Sequence, residues 1–367
     1  MKRPVTILVA ATLLAAALPA QASPREPASR IEASVAALQA RGFSGQIVVG
    51  DEGSVVFDTT IGLAQTAPLW IWGSVSKQVT AALVASEVDR GNLKFEDIVA
   101  TRLPGFRDPQ GRRATVRQLL QHTSGLPNPY AGVAEGQVPA FFLRQGEALG
   151  GVADAVGFCA GPPVGEPGRF SYNNCDTIVA GAILERATGR SFAELLEERI
   201  TKPLGMATVR LARSGERLPI GASQGSATPT NIAAYGPAAA IIGSARDLML
   251  FSQALMNGRL VSAASRATMW EGDPKLGYAA LGAWSFSAPL KGCQAPTKLI
   301  ERRGHVDGVQ ARNIIAPELK RALVMFTPSP EFDFGEIWRG QGASYEIASA
   351  AFCGAEQVRV AGAGARS

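Results

Sequence analysis

The chain has 367 residues, 46% of them hydrophobic and 18% charged, with a formal net charge of +5 at pH 7. That length supports a large core, in one composite domain or in two closely packed ones. The cationic side chains are scattered, with Arg112-Arg113 and Arg302-Arg303 among the few adjacent pairs, and no basic stripe is interleaved with aromatics. This argues against nucleic acid as a partner.

Lys2 and Arg3 precede an apolar run from Val5 to Pro19, and Ala20-Gln21-Ala22 is a small-x-small cleavage site. Residues 1–22 therefore read as a secretory signal peptide, too short an apolar run to be a stable membrane anchor. The expected location is periplasmic or secreted. Arg30 to Arg41 has Ile31, Val35 and Leu38 on one face and reads as an amphipathic helix. A strand pair follows over Gly45 to Ala64, turning at Asp51-Glu52-Gly53. Trp70-Ile71-Trp72-Gly73 reads as a loop, and Gln78 to Asp89 as a helix stopped by Gly91.

Further helices are expected over Thr115 to Gln121, Cys175 to Thr188 (stopped by Gly189), Phe192 to Ile200, Ser244 to Met256 and Tyr345 to Phe352. Gly277 to Phe286, Thr297 to Arg303, Gln310 to Ala316 and Leu319 to Phe326 read as antiparallel strands. Asn128 to Gly168, rich in Gly and Pro, is a candidate lid or helical insert. Strands at both ends with helices between imply an α+β fold whose sheet joins the two ends of the chain. The tail at 356–367 is expected to fray.

Four cysteines are present, and export permits disulfides. Cys159 and Cys175 bracket a Gly/Pro-rich loop and are paired here, with Cys293 to Cys353 as the second bridge, although sequence leaves other pairings open. No two cysteines have zinc-ligand spacing, and the histidines are His122 and His305, so no metal or other cofactor is expected.

The chemistry centres on Ser74-Val75-Ser76-Lys77, the single Ser-x-x-Lys in the chain. Residues three and four apart share a helix face, which places Lys77 with Ser74, Ala81, Val84 and Val88. That face is otherwise apolar. A lysine buried on it, one turn from a serine hydroxyl, loses basicity by desolvation and can serve as a base. An N-cap is the ordinary role of such a serine, and Ser74 is expected to fill both. Tyr172-Asn173-Asn174 is the single Tyr-x-Asn, set just before an apolar helix, and Arg302-Arg303-Gly304-His305-Val306-Asp307-Gly308 closes the set. Gly221-Ala222-Ser223-Gln224-Gly225 matches a nucleophile elbow, but it lies in a polar stretch between Pro219 and Pro229 without the required strand and helix.

In this order and spacing the motifs resemble the serine β-lactamase and penicillin-binding protein superfamily, in its class C β-lactamase-like branch. Leu119-Leu120-Gln121-His122-Thr123-Ser124-Gly125-Leu126, Phe170 to Asn174, Lys202-Pro203-Leu204-Gly205-Met206 and Ser244 to Leu248 extend the resemblance over most of the chain. It implies a β-lactamase/DD-peptidase-like fold over 23–355. The antiparallel sheet would use about 30–65 and 277–355, and a mostly helical part about 70–256.

The resemblance also implies roles. Ser74 is the nucleophile of an acyl-enzyme, Lys77 and Tyr172 are alternative bases, and Asn174 binds a substrate amide. His122 braces the loop beside the site. The third motif departs from the family's Lys/His, small residue, Gly pattern. An ungapped register puts Arg302 at the cationic position and Gly304 at the glycine; a one-gap register makes His305 the motif histidine. Either leaves a cation for a substrate carboxylate. The implied substrate is a small molecule or peptide with an amide or ester acyl group: a β-lactam or a D-amino-acid peptide, with peptidoglycan among the candidates. The alternatives are an esterase without β-lactam activity and a non-hydrolysing penicillin- or peptidoglycan-binding protein.

Overall fold

The computed structural model describes residues 25–353 apart from 67, 105, 107–113, 128–129, 131–132, 135–136, 144–155, 158, 161–164, 217, 219, 221–229 and 307. The expected signal segment, the tail, the Gly221–Gly225 segment and much of the candidate lid lie outside the described residues.

In chain order the strands are β1 (Gly45–Asp51), β2 (Ser54–Ile61), β3 (Trp70–Ile71), β4 (Arg210–Leu211), β5 (Ile241–Gly243), β6 (Trp284–Ala288), β7 (Thr297–Val306), β8 (Val309–Ala316) and β9 (Arg321–Thr327). Six of them form an antiparallel sheet in the order β2-β1-β9-β8-β7-β6. The two ends of the chain meet where β1 pairs β9, from Gln46 opposite Phe326 to Asp51 opposite Arg321. The α+β architecture expected from the sequence is therefore observed.

The principal helices are α1 (Arg25–Ala40), α2 (Ser76–Asp89), α3 (Val116–Leu120), α4 (Cys175–Thr188), α5 (Ala245–Met256) and α6 (Ala343–Phe352). Side chains alternate between the two faces of a strand, and here both faces are buried. Val48, Val324, Phe326 and Ile315 join one core with Val79 and Leu83 of α2, Ile178 of α4 and Phe251 of α5. Ile47, Leu323, Met325 and Ile314 join the opposite core with Leu38 of α1 and Ile347 and Phe352 of α6. Each such side chain contributes roughly 1.5–3 kcal/mol on burial, which is why the central strands read as nearly continuous apolar runs.

Local signals account for the helix ends. Thr115 caps α3 in a reciprocal capping box with Gln118. Ser244 caps α5 through the Asp247 N–H, and Gly189 ends α4 in the left-handed conformation. Both expected disulfides, Cys159–Cys175 and Cys293–Cys353, are formed.

Two expectations fail for tertiary reasons. Trp70-Ile71 is a short strand, not a loop, pairing β5 in a three-stranded sheet β3-β5-β4. Trp70 is fully buried, stacked 5.1 Å from Phe326, and its indole N–H donates to Gln46 Oε1 at 3.0 Å. The expected strand from Gly277 begins only at Trp284, because Gly277, Tyr278 and Gly282 take positive φ values of 62°, 64° and 76°. Such dihedrals are incompatible with an extended ladder.

Candidate active site

Ser74 occupies a tight helical turn, Gly73–Val75, that leads directly into α2. Gly73 is left-handed at φ 53°, a conformation that glycine adopts without steric cost. Strand β7 runs close beside this turn. A Cβ on Gly304 would stand 2.2 Å from the Trp72 carbonyl oxygen, and one on Gly73 would stand 3.1 Å from the His305 backbone nitrogen. Only bare backbone lets β7 approach the serine this closely.

The Ser74 side chain caps no helix end, contrary to the dual role read from the sequence; no side-chain cap bond is made at Trp72 or Val75. Its Oγ instead takes bonds from Lys77 Nζ at 3.0 Å and from the Tyr172 hydroxyl at 2.6 Å. Lys77 is 1% exposed and also donates to Asn174 Oδ1 at 2.7 Å and to the Ala238 carbonyl at 3.0 Å. These three acceptors use all three donors of the ammonium. Burial lowers the Lys77 pKa to about 8, with the charge of Arg302 adding to the fall and Tyr172 opposing it.

Tyr172 is held from two sides. Burial works to raise its pKa, but the charges of Lys77 and then Arg302 outweigh it, and the phenol is brought down to about 8. Its ring lies 5.0 Å from Lys77 Nζ and 5.2 Å from the Arg302 guanidinium carbon. The two candidate bases share one proton-bearing network and titrate as a pair.

Arg302 is 1% exposed. It donates from Nε to the Ser74 carbonyl at 2.8 Å and from Nη2 to the Tyr172 oxygen at 2.9 Å, and its guanidinium lies 5.0 Å from the Trp284 ring centroid. The side chain read as a carboxylate ligand is thus turned inward onto the Ser74 turn. Gly304 packs under that turn. His305 is exposed, with its pKa lowered by partial burial and by Arg312, and it reaches the cleft beside Ser74 through its backbone. Arg302 and Gly304, the residues of the ungapped register, are thus the ones brought against the Ser74 turn.

Asn174 lies in the same cleft, 6% exposed, with its Oδ1 committed to Lys77. The cleft, about 250 Å³, is also lined by Tyr130, Tyr235, Ala239 and Val306. Behind Tyr172, His122 is buried at φ 59°, with its ring edge-on at 4.7 Å. His122 Nδ1 lies 3.1 Å from Asp176 Oδ2, and Asp176 also accepts from Ser124 and from Asn173 Nδ2. Burial drives the His122 pKa well below its usual value and that of Asp176 well above. The His122 carbonyl accepts from the Ser171 N–H at 2.8 Å, tying the two loops together.

Sequence reasoning missed Asp176, Trp284, Tyr130, Tyr235 and the Ala238 carbonyl. Asp176 was detectable as an acid in the first turn of the apolar helix α4. Among the described residues, no group of three or more His, Cys, Asp or Glu side chains could hold a metal.

A serine in the turn before a buried helix, a lysine one turn on, a tyrosine opposite and a sheet strand alongside thus meet at one cleft. The family profile described as Beta-lactamase matches residues 28–337, and the chain belongs to that family. PbpX of Bacillus subtilis, which carries the name penicillin-binding protein, is 28% identical over 245 residues, covering 62% of this chain and 59% of its own. A D-aminopeptidase of Brucella anthropi is 33% identical over 141 residues, covering 38% of this chain and 25% of its own. The chain thus spans about three-fifths or less of these relatives. The D-stereospecific amidohydrolase from Streptomyces sp. superposes with a TM-score of 0.69 at 23% identity, over 89% of this chain and 98% of its own. At that identity the likeness concerns the fold.

Proposed function

We propose that the protein is an exported serine hydrolase that forms an acyl-enzyme at Ser74 on an amide or ester substrate. The observation that carries the reading is the Ser74 hydroxyl held within hydrogen-bond reach of both Lys77 and Tyr172. Each has a pKa of about 8, close enough to neutrality for proton transfer in either direction. Ser74 Oγ bonds to the acyl carbon while its proton passes to the Lys77–Tyr172 pair. Collapse of the tetrahedral adduct breaks the bond to the leaving oxygen or nitrogen, which takes that proton. Water then repeats the sequence in reverse and releases the acid. The N–H of Ser74, in the first helical turn, and that of His305 on β7 are the candidate oxyanion donors. The Asn174 amide nitrogen is the part able to hold a substrate carbonyl.

Export is supported by the apolar Val5–Pro19 run and by two disulfides. D-Amino-acid amides, D-amino-acid peptides and β-lactams are candidate substrates, supported by the relatives named for such chemistry. The test is incubation with a short-chain nitrophenyl ester and with a labelled penicillin. Turnover or a covalent adduct that maps to Ser74 is expected. Full hydrolysis by Ser74→Ala would overturn the assignment.

A further inference from the structure

We infer that the cleft is built for an ester or amide carrying no carboxylate near the scissile bond, an inference that rests on the acyl-enzyme reading above and narrows its substrate. A carboxylate taken out of water needs charge-assisted hydrogen bonds to offset its desolvation. The two cations beside Ser74 are turned away from the cleft. Lys77 spends its three donors on Ser74 Oγ, Asn174 Oδ1 and the Ala238 carbonyl. Arg302 is turned onto the Ser74 carbonyl and the Tyr172 oxygen, with Trp284 against its guanidinium. Both are 1% exposed and neither lines the cleft, so a substrate anion held there would feel their field without reaching their donors. Redirecting Arg302 outward would also strip Tyr172 of a hydrogen bond that holds it over the nucleophile.

The remaining wall is aromatic and aliphatic. Tyr130 and Tyr235 line it, their hydroxyls 2.7 Å apart in a single hydrogen bond. Tyr235 stacks on Phe142 with centroids 3.9 Å apart and planes 1° from parallel, which fixes the wall from behind. Ala239 and Val306 complete the apolar side. Among the described residues, the lining contains no Lys, Arg, Asp or Glu side chain. His305 presents its backbone to the cleft, and partial burial and Arg312 lower the pKa of its ring. A space of about 250 Å³ with such walls suits a small neutral acyl group.

Two matched ester pairs test this. p-Nitrophenyl butyrate and mono-p-nitrophenyl succinate differ by a carboxylate on the acyl side. Phenyl acetate and 3-acetoxybenzoate differ by one on the leaving side. We expect kcat/KM for the neutral member to exceed that of its partner at least tenfold in both pairs at pH 7.5. Parity, or preference for the carboxylated member in either pair while Ser74→Ala abolishes turnover, overturns the inference and leaves the acyl-enzyme reading standing. Turnover that survives Ser74→Ala, or no turnover and no Ser74 adduct with any of the four esters or with labelled penicillin, removes that reading and the inference with it.

Discussion

Arg302→Gln probes the electrostatic arrangement most directly. The wild-type guanidinium donates to the Tyr172 oxygen at 2.9 Å and is itself 1% exposed. Opposite unit charges about 4 Å apart attract by roughly 4 kcal/mol at an effective dielectric constant of 20. Tyr172 is 36% exposed, so solvent screens much of this; we retain about 1.4 kcal/mol, which moves a titration by about one pH unit. The phenol then titrates near 9 instead of the wild-type value of about 8. With a pKa of 8, about a tenth of the phenol is ionised at pH 7, and a one-unit rise leaves about a hundredth. A more basic phenolate is a better base once formed, which recovers part of the loss. The expected fall at pH 7 is therefore about threefold to tenfold. The assay is kcat/KM for a neutral nitrophenyl ester between pH 6 and 9.5. The rising limb should move about one unit higher, with activity recovering toward the alkaline end. Arg302→Lys, which keeps the charge, should leave the limb near its wild-type position. A limb that stays in place in Arg302→Gln while activity falls uniformly would refute the argument and reduce Arg302 to a packing role. The melting temperature of each variant separates this from unfolding.

Two other perturbations follow from the packing. Gly304→Ala places a methyl 2.2 Å from the Trp72 carbonyl oxygen, so β7 must withdraw from the Ser74 turn. We expect kcat/KM to drop at least tenfold with about 1–3 kcal/mol of stability lost, read by kinetics and urea unfolding; near-wild-type kinetics would show that the close approach is dispensable. Replacing both cysteines of a bridge by serine should cost about 3 kcal/mol for Cys159–Cys175 and about 4 kcal/mol for Cys293–Cys353, whose separations are 16 and 60 residues. An unchanged urea midpoint in either double variant would contradict the bridge's contribution.

Much of this molecule is legible in its amino-acid sequence. Capping residues and periodicity place α4 at Cys175–Thr188 and α5 at Ala245–Met256, because helix ends are decided by neighbours a few residues away. Alternation places β1 and β2, and the spacing of Ser74 and Lys77 requires one shared helix face. The motif set also picks out Tyr172, Asn174 and the third-motif residues, which the fold gathers around one cleft. The errors have non-local causes. Trp70-Ile71 reads as a loop because two residues carry no periodic signal, and pairing with β5 across the chain makes them a strand. The expected strand from Gly277 fails because positive-φ turns preceding Trp284 outweigh its apolar content.

The division lies between what a residue type can do and which way it faces. A serine three residues before a lysine on an apolar stripe carries its own chemistry, since helical geometry alone brings the two together. Nothing local tells Arg302 to turn inward, more than two hundred residues from Ser74 in the chain. That orientation arises because Gly73 and Gly304 let β7 close on the serine turn, and because Tyr172, Trp284 and the Ser74 carbonyl offer the guanidinium better partners than open solvent. Sequence could supply a cation; only the folded chain could commit it to the tyrosine, and the wall of Tyr130 and Tyr235 is assembled by the same long-range packing.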